Sequence, residues 1–301
     1  MKSIGYLFLL ISLLYGNSLF AQKSNQEMLK QKTEQRLQEI FNTSPAITGL
    51  VAVDLTSGEK IGWNSEVQFP QASSIKIPIL MEVFKQAHEG KFSLSDPLPL
   101  TSDNIVGGTG ILKHLEDPTA LSIKNLDILM IALSDNSATN ALIDLVGMSE
   151  VNSTLKSLGM TNTLLQRKMM NSEASARGEE NLATPADAAK ILQLLYKGEF
   201  VSPEVSQEII DILKMTDRED SRLAAGIPEN VPIAFKPGFI SGVSTEWTIV
   251  LLEQRPYAIA LMESNKLPGE AEEVMEEVSE ILFNYFWRIG SASEYGTYVR
   301  Q

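Results

Sequence analysis

The chain has 301 residues, a formal net charge of −13 and no cysteine. That balance argues against a nucleic-acid partner, whose phosphates call for cationic surface, and it excludes disulfides and attachment through a lipidated cysteine. His88 and His114 are the only histidines and form no pair at metal-ligand spacing, which argues against a zinc hydrolase and for chemistry without a cofactor.

The first residues, "MKSIGYLFLLISLLYGNSLFAQ", place one lysine before a short apolar core that ends at a small residue, Ala21. This is the layout of a cleavable export signal over residues 1–21, because the run is too short to span a bilayer comfortably. The expected location is therefore secreted, periplasmic or extracellular, with no stable membrane insertion once the signal is removed. About 280 residues remain, enough for one large domain with its own core. Their net charge is about −14, the −13 of the whole chain less the charge of Lys2, so an anionic substrate needs locally placed cations. A monomer is expected.

Residues 24–41, "SNQEMLKQKTEQRLQEIF", repeat apolar positions at helical spacing. "ITGLVAVDLTSGEKIGWN" carries two apolar runs either side of a turn, the pattern of a β-hairpin. From Ser73 to about Leu213 the pattern is helical. It then returns to strands in "VPIAFKPG", "EWTIVLLE" and "YAIALMES", and "PGEAEEVMEEVSEILFNYFWRI" closes with an amphipathic helix. Strands at both ends with helices between predict an α+β fold: one antiparallel five-stranded sheet built from the two chain ends, flanked by terminal helices, with an all-helical subdomain inserted over about 70–225. The domain is expected to run over 22–290, with 291–301 as a loose tail.

"FPQASSIKIPIL" puts two serines and a lysine at the start of an apolar run. The Ser-x-x-Lys spacing occurs three times, at Ser57/Lys60, Ser73/Lys76 and Ser153/Lys156. Ser57 falls in the hairpin turn and Ser153 on an exposed polar helix. Only Ser73 opens an apolar helix, where Lys76 stands one turn along and free N–H groups can stabilise an oxyanion. Taken alone, the pair reads as an ordinary N-cap serine followed by a surface lysine. Likewise "SDN", Ser134 to Asn136, is a loop or helix cap when taken alone. "FKPG", Phe235 to Gly238, is a point where lysine, proline and glycine break a predicted strand at a sheet edge. "GGTG" at Gly107 lacks the Lys-Ser/Thr of a phosphate loop and is a turn. Met169 and Met170 are expected to pack rather than act.

Taken in order, Ser-x-x-Lys, Ser-Asp-Asn and Lys-x-Gly, one on a helix start, one in the helical block and one on a strand, resemble the class A β-lactamases and their penicillin-binding relatives. "GLVAVDLTSGE", "GGTGIL", "NLATPADAAKIL" and "SRLAAGIPENVPIAFKPG" are also similar to that family, so the resemblance covers nearly the whole chain after the signal. It implies a serine hydrolase that opens a β-lactam amide, or a peptidoglycan-like acyl donor, through an acyl-Ser73 intermediate. Lys76 would take the serine proton directly or organise the group that does. Ser134 would pass a proton to the leaving nitrogen, and Asn136 would hold Lys76 and the substrate's side-chain amide. Lys236 would attract the substrate carboxylate, and Arg222 would add positive charge. The N–H groups of Ser73 and Phe239, beside Gly238, would form the oxyanion hole.

Two departures from the family qualify this. If Arg167 matches the family arginine that opens the loop after the helical block, Met169 stands where the family carries the glutamate that activates deacylating water. Glu173 is the nearest substitute, a solvated loop carboxylate being the plainer reading. Pro237 replaces the hydroxyl residue of Lys-Thr-Gly, for which Ser241, Ser244 or Thr245 could compensate. The alternatives are a slow-deacylating penicillin-binding protein, D-alanyl peptidase or esterase on the same fold, and a non-catalytic module that binds cell-wall fragments.

Overall fold

The computed structural model describes residues 24–116, 119–267 and 273–298, so the predicted export signal lies outside the described residues. Helix α1, Asn25–Thr43, begins where the sequence places a capping box: the Ser24 hydroxyl accepts from the Glu27 N–H, and the Glu27 carboxylate accepts from the Ser24 N–H. The hairpin follows as β1, Ile47–Asp54, and β2, Lys60–Trp63. Its turn is closed by Asp54, whose Oδ1 accepts from the N–H groups of Thr56 and Ser57.

The helical block contains α2 (Lys76–His88), α3 (Ile123–Ala132), α4 (Asn136–Val146), α5 (Met148–Ser157), α6 (Ser172–Ala176), α7 (Pro185–Tyr196) and α8 (Pro203–Leu213). Strands β3 (Ile233–Ile240), β4 (Val243–Val250) and β5 (Tyr257–Ser264) complete the sheet, and α9 (Glu273–Ser291) closes the fold. Every neighbouring pair is antiparallel, in the order β2-β1-β5-β4-β3. The predicted α+β architecture, with one sheet drawn from both ends of the chain, is the observed one, but the inserted block is not all-helical: Phe69–Pro70 pairs with Leu182–Ala183 and Pro97–Pro99 with Ala120–Ser122, short ladders that tie its loops together.

Period-two alternation along the central strands sorts their side chains between two cores. Val51, Val53, Ala234, Trp247, Ile249, Ala258, Ala260 and Met262 face the helical block. Leu50, Ala52, Phe235, Val250, Tyr257, Ile259 and Leu261 face the other way, against Leu37 and Phe41 of α1 and Met275, Leu282 and Phe286 of α9. Burial on both faces explains why these strands read as continuous apolar runs.

Two further expectations need correction. "FKPG" does not break β3, which runs on to Ile240 in register with β4, Pro237 opposite Glu246. The reason is the strand's edge position: an outward-facing residue has no ladder N–H to lose, so proline is tolerated. Nor is 291–298 a loose tail, because Ala292 bridges Tyr298 and the Tyr298 ring lies 5.4 Å from that of Trp287. The Ser-Asp-Asn corner, by contrast, is the helix cap its residues suggest: α3 ends at Ala132 and α4 begins at Asn136, with Ser134 between them at φ 51°.

Candidate active site

The Ser73 segment is a 3-10 turn, Ala72–Ile75, that runs directly into α2 at Lys76. Gln71, fully buried, locks it from below. Its side chain donates to the Phe69 carbonyl at 2.9 Å and accepts from the Trp247 indole N–H at 2.9 Å, while its own N–H donates to the Asn181 carbonyl at 2.8 Å. Ser74, the second serine, points into the protein, where its hydroxyl meets that of Thr245 at 2.8 Å. That leaves Ser73, half-buried, on the wall of a cleft of about 980 Å³. Ala72 ahead of it has a φ of 45°, a left-handed conformation that a non-glycine residue adopts at a cost of ~1–3 kcal/mol when the surroundings enforce it.

Lys76 is 0 % exposed. Its Nζ donates to the Ser134 carbonyl at 2.7 Å, to Ser134 Oγ at 3.1 Å and to Asn136 Oδ1 at 3.0 Å. Burial first, and then the Lys236 charge, hold its ammonium well below the ordinary lysine range, with Asp135 opposing them. The sequence pattern thus brings Ser134 and Asn136, about sixty residues downstream, onto a desolvated amine.

The reach is set by Asp135. It caps α4 by accepting from the N–H groups of Ser137 and Ala138 through Oδ1. Through Oδ2 it also accepts from Ile111 at 2.6 Å and Leu112 at 2.8 Å. The "GGTG" turn is thereby tied to the SDN corner, with Thr109 Oγ1 donating to the Ser134 carbonyl at 2.7 Å and Asn136 Nδ2 donating to the Gly107 carbonyl at 3.2 Å. Gly110, at φ 108°, is obligatory, since a Cβ there would come within 2.3 Å of the Asp135 carboxylate.

The opposite wall is the edge strand β3. Lys236, 1 % exposed, reaches the cleft, and burial lowers its pKa to about 8 against the opposing pull of Asp220 and Glu246. Backbone direction alternates along a strand, so the position where Pro237 lacks an N–H and the N–H of Phe239 both face away from β4. Gly238 is where β3 touches the Ser73 turn: a Cβ there would lie 2.5 Å from the Gln71 carbonyl oxygen and 2.8 Å from the backbone nitrogens of Ser73 and Ser74. Arg222 lines the same wall, with its guanidinium 5.1 Å from the Phe239 ring centroid. The backbone N–H of Arg222 donates at 2.9 Å to Glu246, a buried carboxylate that also accepts from the Ser221 and Thr248 hydroxyls.

The loop from Leu164 to Leu182 forms the floor, closed at its neck by the pairing of those two residues. Arg167 pairs with Glu180 at 2.8 Å, Ser175 donates to the same carboxylate, and Asn181 Oδ1 accepts from the N–H groups of Gln166 and Arg167. Glu173 does not reach the cleft. It lies exposed in α6, away from the lining residues, because α6 turns its Ala174 face inward. Of the three hydroxyls that could compensate for Pro237, only Ser241 lines the cleft; Thr245 is buried under the Ser73 turn and Ser244 meets Lys266. Both methionines line the cleft, Met169 buried, with its N–H donating to Asn140 Oδ1, and Met170 53 % exposed, so the packing role expected of both holds for Met169 alone.

A helical block inserted between the second and third strands of such a sheet, with a serine and a desolvated lysine at their junction, defines a serine hydrolase of the β-lactamase and penicillin-binding type. The chain belongs to the beta-lactamase enzyme family, whose model matches residues 32–286. It is 25 % identical over 232 residues to a β-lactamase of Proteus vulgaris, covering 76 % of this chain and 75 % of the relative. Among solved structures it is similar to a β-lactamase from Sphaerobacter thermophilus, with 28 % identity, a TM-score of 0.75, and coverage of 86 % of this chain and 97 % of that one. It is also similar to a variant of PBP-A solved as its acyl-enzyme complex with penicillin-G, with 27 % identity, a TM-score of 0.77, and coverage of 86 % and 96 %.

Proposed function

We propose that this serine β-lactamase-like hydrolase is exported as a monomer and takes a β-lactam or a related carboxylate-bearing acyl donor onto Ser73, and that release of the acyl group is its slow step. The observation that carries the acylation half is the environment of Lys76: a buried amine, biased toward its neutral form by burial and by Lys236, with Ser134 and Asn136 as its hydrogen-bonding partners.

In the proposed step the Ser73 hydroxyl oxygen bonds to the acyl carbon as its proton moves to the Lys76 amine. The oxyanion is held by the Ser73 and Phe239 N–H groups. Collapse breaks the carbon–nitrogen bond, and the proton passes from Lys76 through Ser134 Oγ, 3.1 Å away, to the leaving nitrogen. Lys236 and Arg222 hold the donor's carboxylate, and Asn136 holds the amide of its side chain.

Slow release rests on the carboxylates that line the cleft. Glu180 is committed to Arg167 and Ser175, and Asp220 interacts with Lys236. Met169 occupies the place of the family's water-activating glutamate. Hydrolysis of the acyl-enzyme needs a base within reach of the attacking water. The same chemistry suits a penicillin-binding protein, a D-alanyl peptidase or an esterase. Retention of a buried lysine and its serine partner disfavours a module that only binds cell-wall fragments.

The test is intact-protein mass spectrometry over time with a penicillin and a chromogenic cephalosporin. An adduct on Ser73 that forms quickly and clears slowly is expected, and Ser73→Ala should abolish it while leaving the fold intact. Rapid clearance with product release would overturn the slow step. Absence of any adduct with β-lactams, esters and peptides alike would overturn the acylation reading.

A further inference from the structure

The core that packs the sheet against the helical block is apolar, with Phe69, Ala183, Trp247 and Met262 among its members, and the amide of Gln71 is inserted between these four. Gln71 is 0 % exposed and does not line the cleft. An apolar side chain of the same length would fill that place without taking an amide out of water, so packing does not call for glutamine. The amide is nonetheless satisfied. Its Nε2 donates to the Phe69 carbonyl at 2.9 Å and to the Ala183 carbonyl at 3.4 Å, with Met262 Sδ at 3.2 Å, and its Oε1 accepts from the Trp247 indole N–H at 2.9 Å. The Gln71 main chain is held as firmly: its N–H donates to Asn181 at the neck of the 164–182 loop, and its carbonyl accepts from the Ser74 N–H at 2.9 Å and from Thr245 Oγ1 at 3.0 Å.

What this network fixes is the residue between Gln71 and Ser73. Ala72 has a φ of 45°, and a left-handed alanine persists where its surroundings over-determine the backbone. On one side stands Gln71, held by side chain and main chain; on the other is Ser74, whose hydroxyl meets that of Thr245. Both clamps end on β4, at Trp247 and Thr245, two positions apart and so on one face of the strand. The peptide plane that joins Ala72 to Ser73 carries the Ser73 N–H, so a rotation at Ala72 swings that N–H and the hydroxyl together. A fully satisfied buried network specifies one such arrangement where an apolar contact allows several.

We propose that Gln71 is a positioning residue for acylation: its amide, pinned by the Trp247 indole, keeps Ala72 left-handed and so aims the Ser73 hydroxyl at the acyl carbon and the Ser73 N–H at its oxygen. This rests on the reading that Ser73 is acylated, and it adds a group, out of reach of the acyl donor, that sets how fast the bond forms. Without the clamp the acyl donor still binds, since other residues make its contacts. The reacting atoms are then less well aligned, and a misplacement of about 1 Å costs on the order of 10²-fold in rate.

The test follows acylation by a penicillin over a range of concentrations, which separates the dissociation constant of the non-covalent complex from the rate constant of the step within it. Gln71→Met and Trp247→Phe each remove one side of the pair. In each, compared at equal folded fraction, the step should slow by about tenfold or more, while the dissociation constant stays within about twofold of native. The double variant Gln71→Met/Trp247→Phe leaves neither group orphaned, so its denaturation midpoint should return toward native. Its acylation step should stay as slow as in the single variants and no slower, because both substitutions break the same contact. In a crystal structure of the double variant, Ala72 should leave the left-handed region. Four results would each overturn the inference and leave the acylation reading standing: single-variant rate constants within about twofold of native, a loss carried by weaker binding, a native rate regained with stability in the double variant, or an unmoved Ala72. Losses that multiply in the double variant would overturn the role given to the Trp247 contact. No adduct on the native protein with any acyl donor would overturn the acylation reading, and this inference with it.

Discussion

Lys76 and Lys236 are the two buried amines at the cleft, and the chemistry proposed for both depends on burial. Desolvation penalises the charged form of an amine, and at Lys76 the Lys236 charge adds to it. Lys236 titrates at about 8, so it is a cation below that pH and neutral above it. Its attraction for a substrate carboxylate is therefore present at neutral pH and lost as the pH rises through about 8. The KM for an anionic donor should climb over that interval, while the KM for a neutral ester should not, and steady-state kinetics from pH 6 to 10 would check the difference. At Met169 the prediction concerns release. Met169→Glu places a carboxylate beside the acyl group, and the acyl-enzyme lifetime, followed by mass spectrometry, should shorten by about tenfold or more, since a positioned general base contributes ~10²–10⁴-fold. Burying a carboxylate beside Asn140 should also lower stability by roughly 1–3 kcal/mol, measurable by urea denaturation.

Among the elements, the edge strand and the Ser73 turn act as one unit, because Gly238 lets their backbones meet. Gly238→Ala adds a methyl group within 2.8 Å of three backbone atoms, none of which can step aside as a flexible side chain would. The strand must move from the turn, and the two N–H groups proposed to hold the oxyanion, those of Ser73 and Phe239, move apart. Acylation should slow by about 10²-fold, the effect of losing one such donor, with a stability loss of roughly 1–3 kcal/mol. An acylation rate within threefold of the native protein would show that the strand tolerates the shift. Elsewhere among the elements, the motifs that the sequence displays as short polar words were legible, while the groups that hold them were not. Ser-Asp-Asn stands out against an apolar helix, yet nothing in it announces that Asp135 also ties down Ile111 and Leu112. Gln71 and Trp247 lie 176 positions apart and meet only when β4 is laid beside the turn. Glu173 was the opposite case: a carboxylate near in sequence to Met169 that its own short helix turns to solvent.

Across the whole molecule, the sheet separates the cleft from a second core that has no part in the chemistry. Phe286 of α9 stacks on Tyr257 with centroids 4.1 Å apart and planes 12° from parallel, on the face away from the helical block. Phe286→Ala should cost ~3–5 kcal/mol through lost burial and the cavity left behind, read as a lower denaturation midpoint. The acylation rate of the folded fraction should stay within about twofold of native, since the sheet transmits little of the loss. A large drop in acylation at full folding would mean that the two cores are coupled through β3 and β4.

The sequence by itself determined the fold class and the partition of strands to the chain ends and helices to the middle, because each is written in local pattern: helical periodicity and apolar runs; the candidate reacting groups came from the order of three short motifs and the family they resemble. Tertiary structure alone decided how those groups are tuned and which carboxylates reach the cleft. It put Lys76 out of water, set Lys236 at the cleft wall and left Glu173 outside. Desolvation and proximity are properties of what surrounds a residue in space, and the surroundings of this cleft come from segments more than a hundred residues apart.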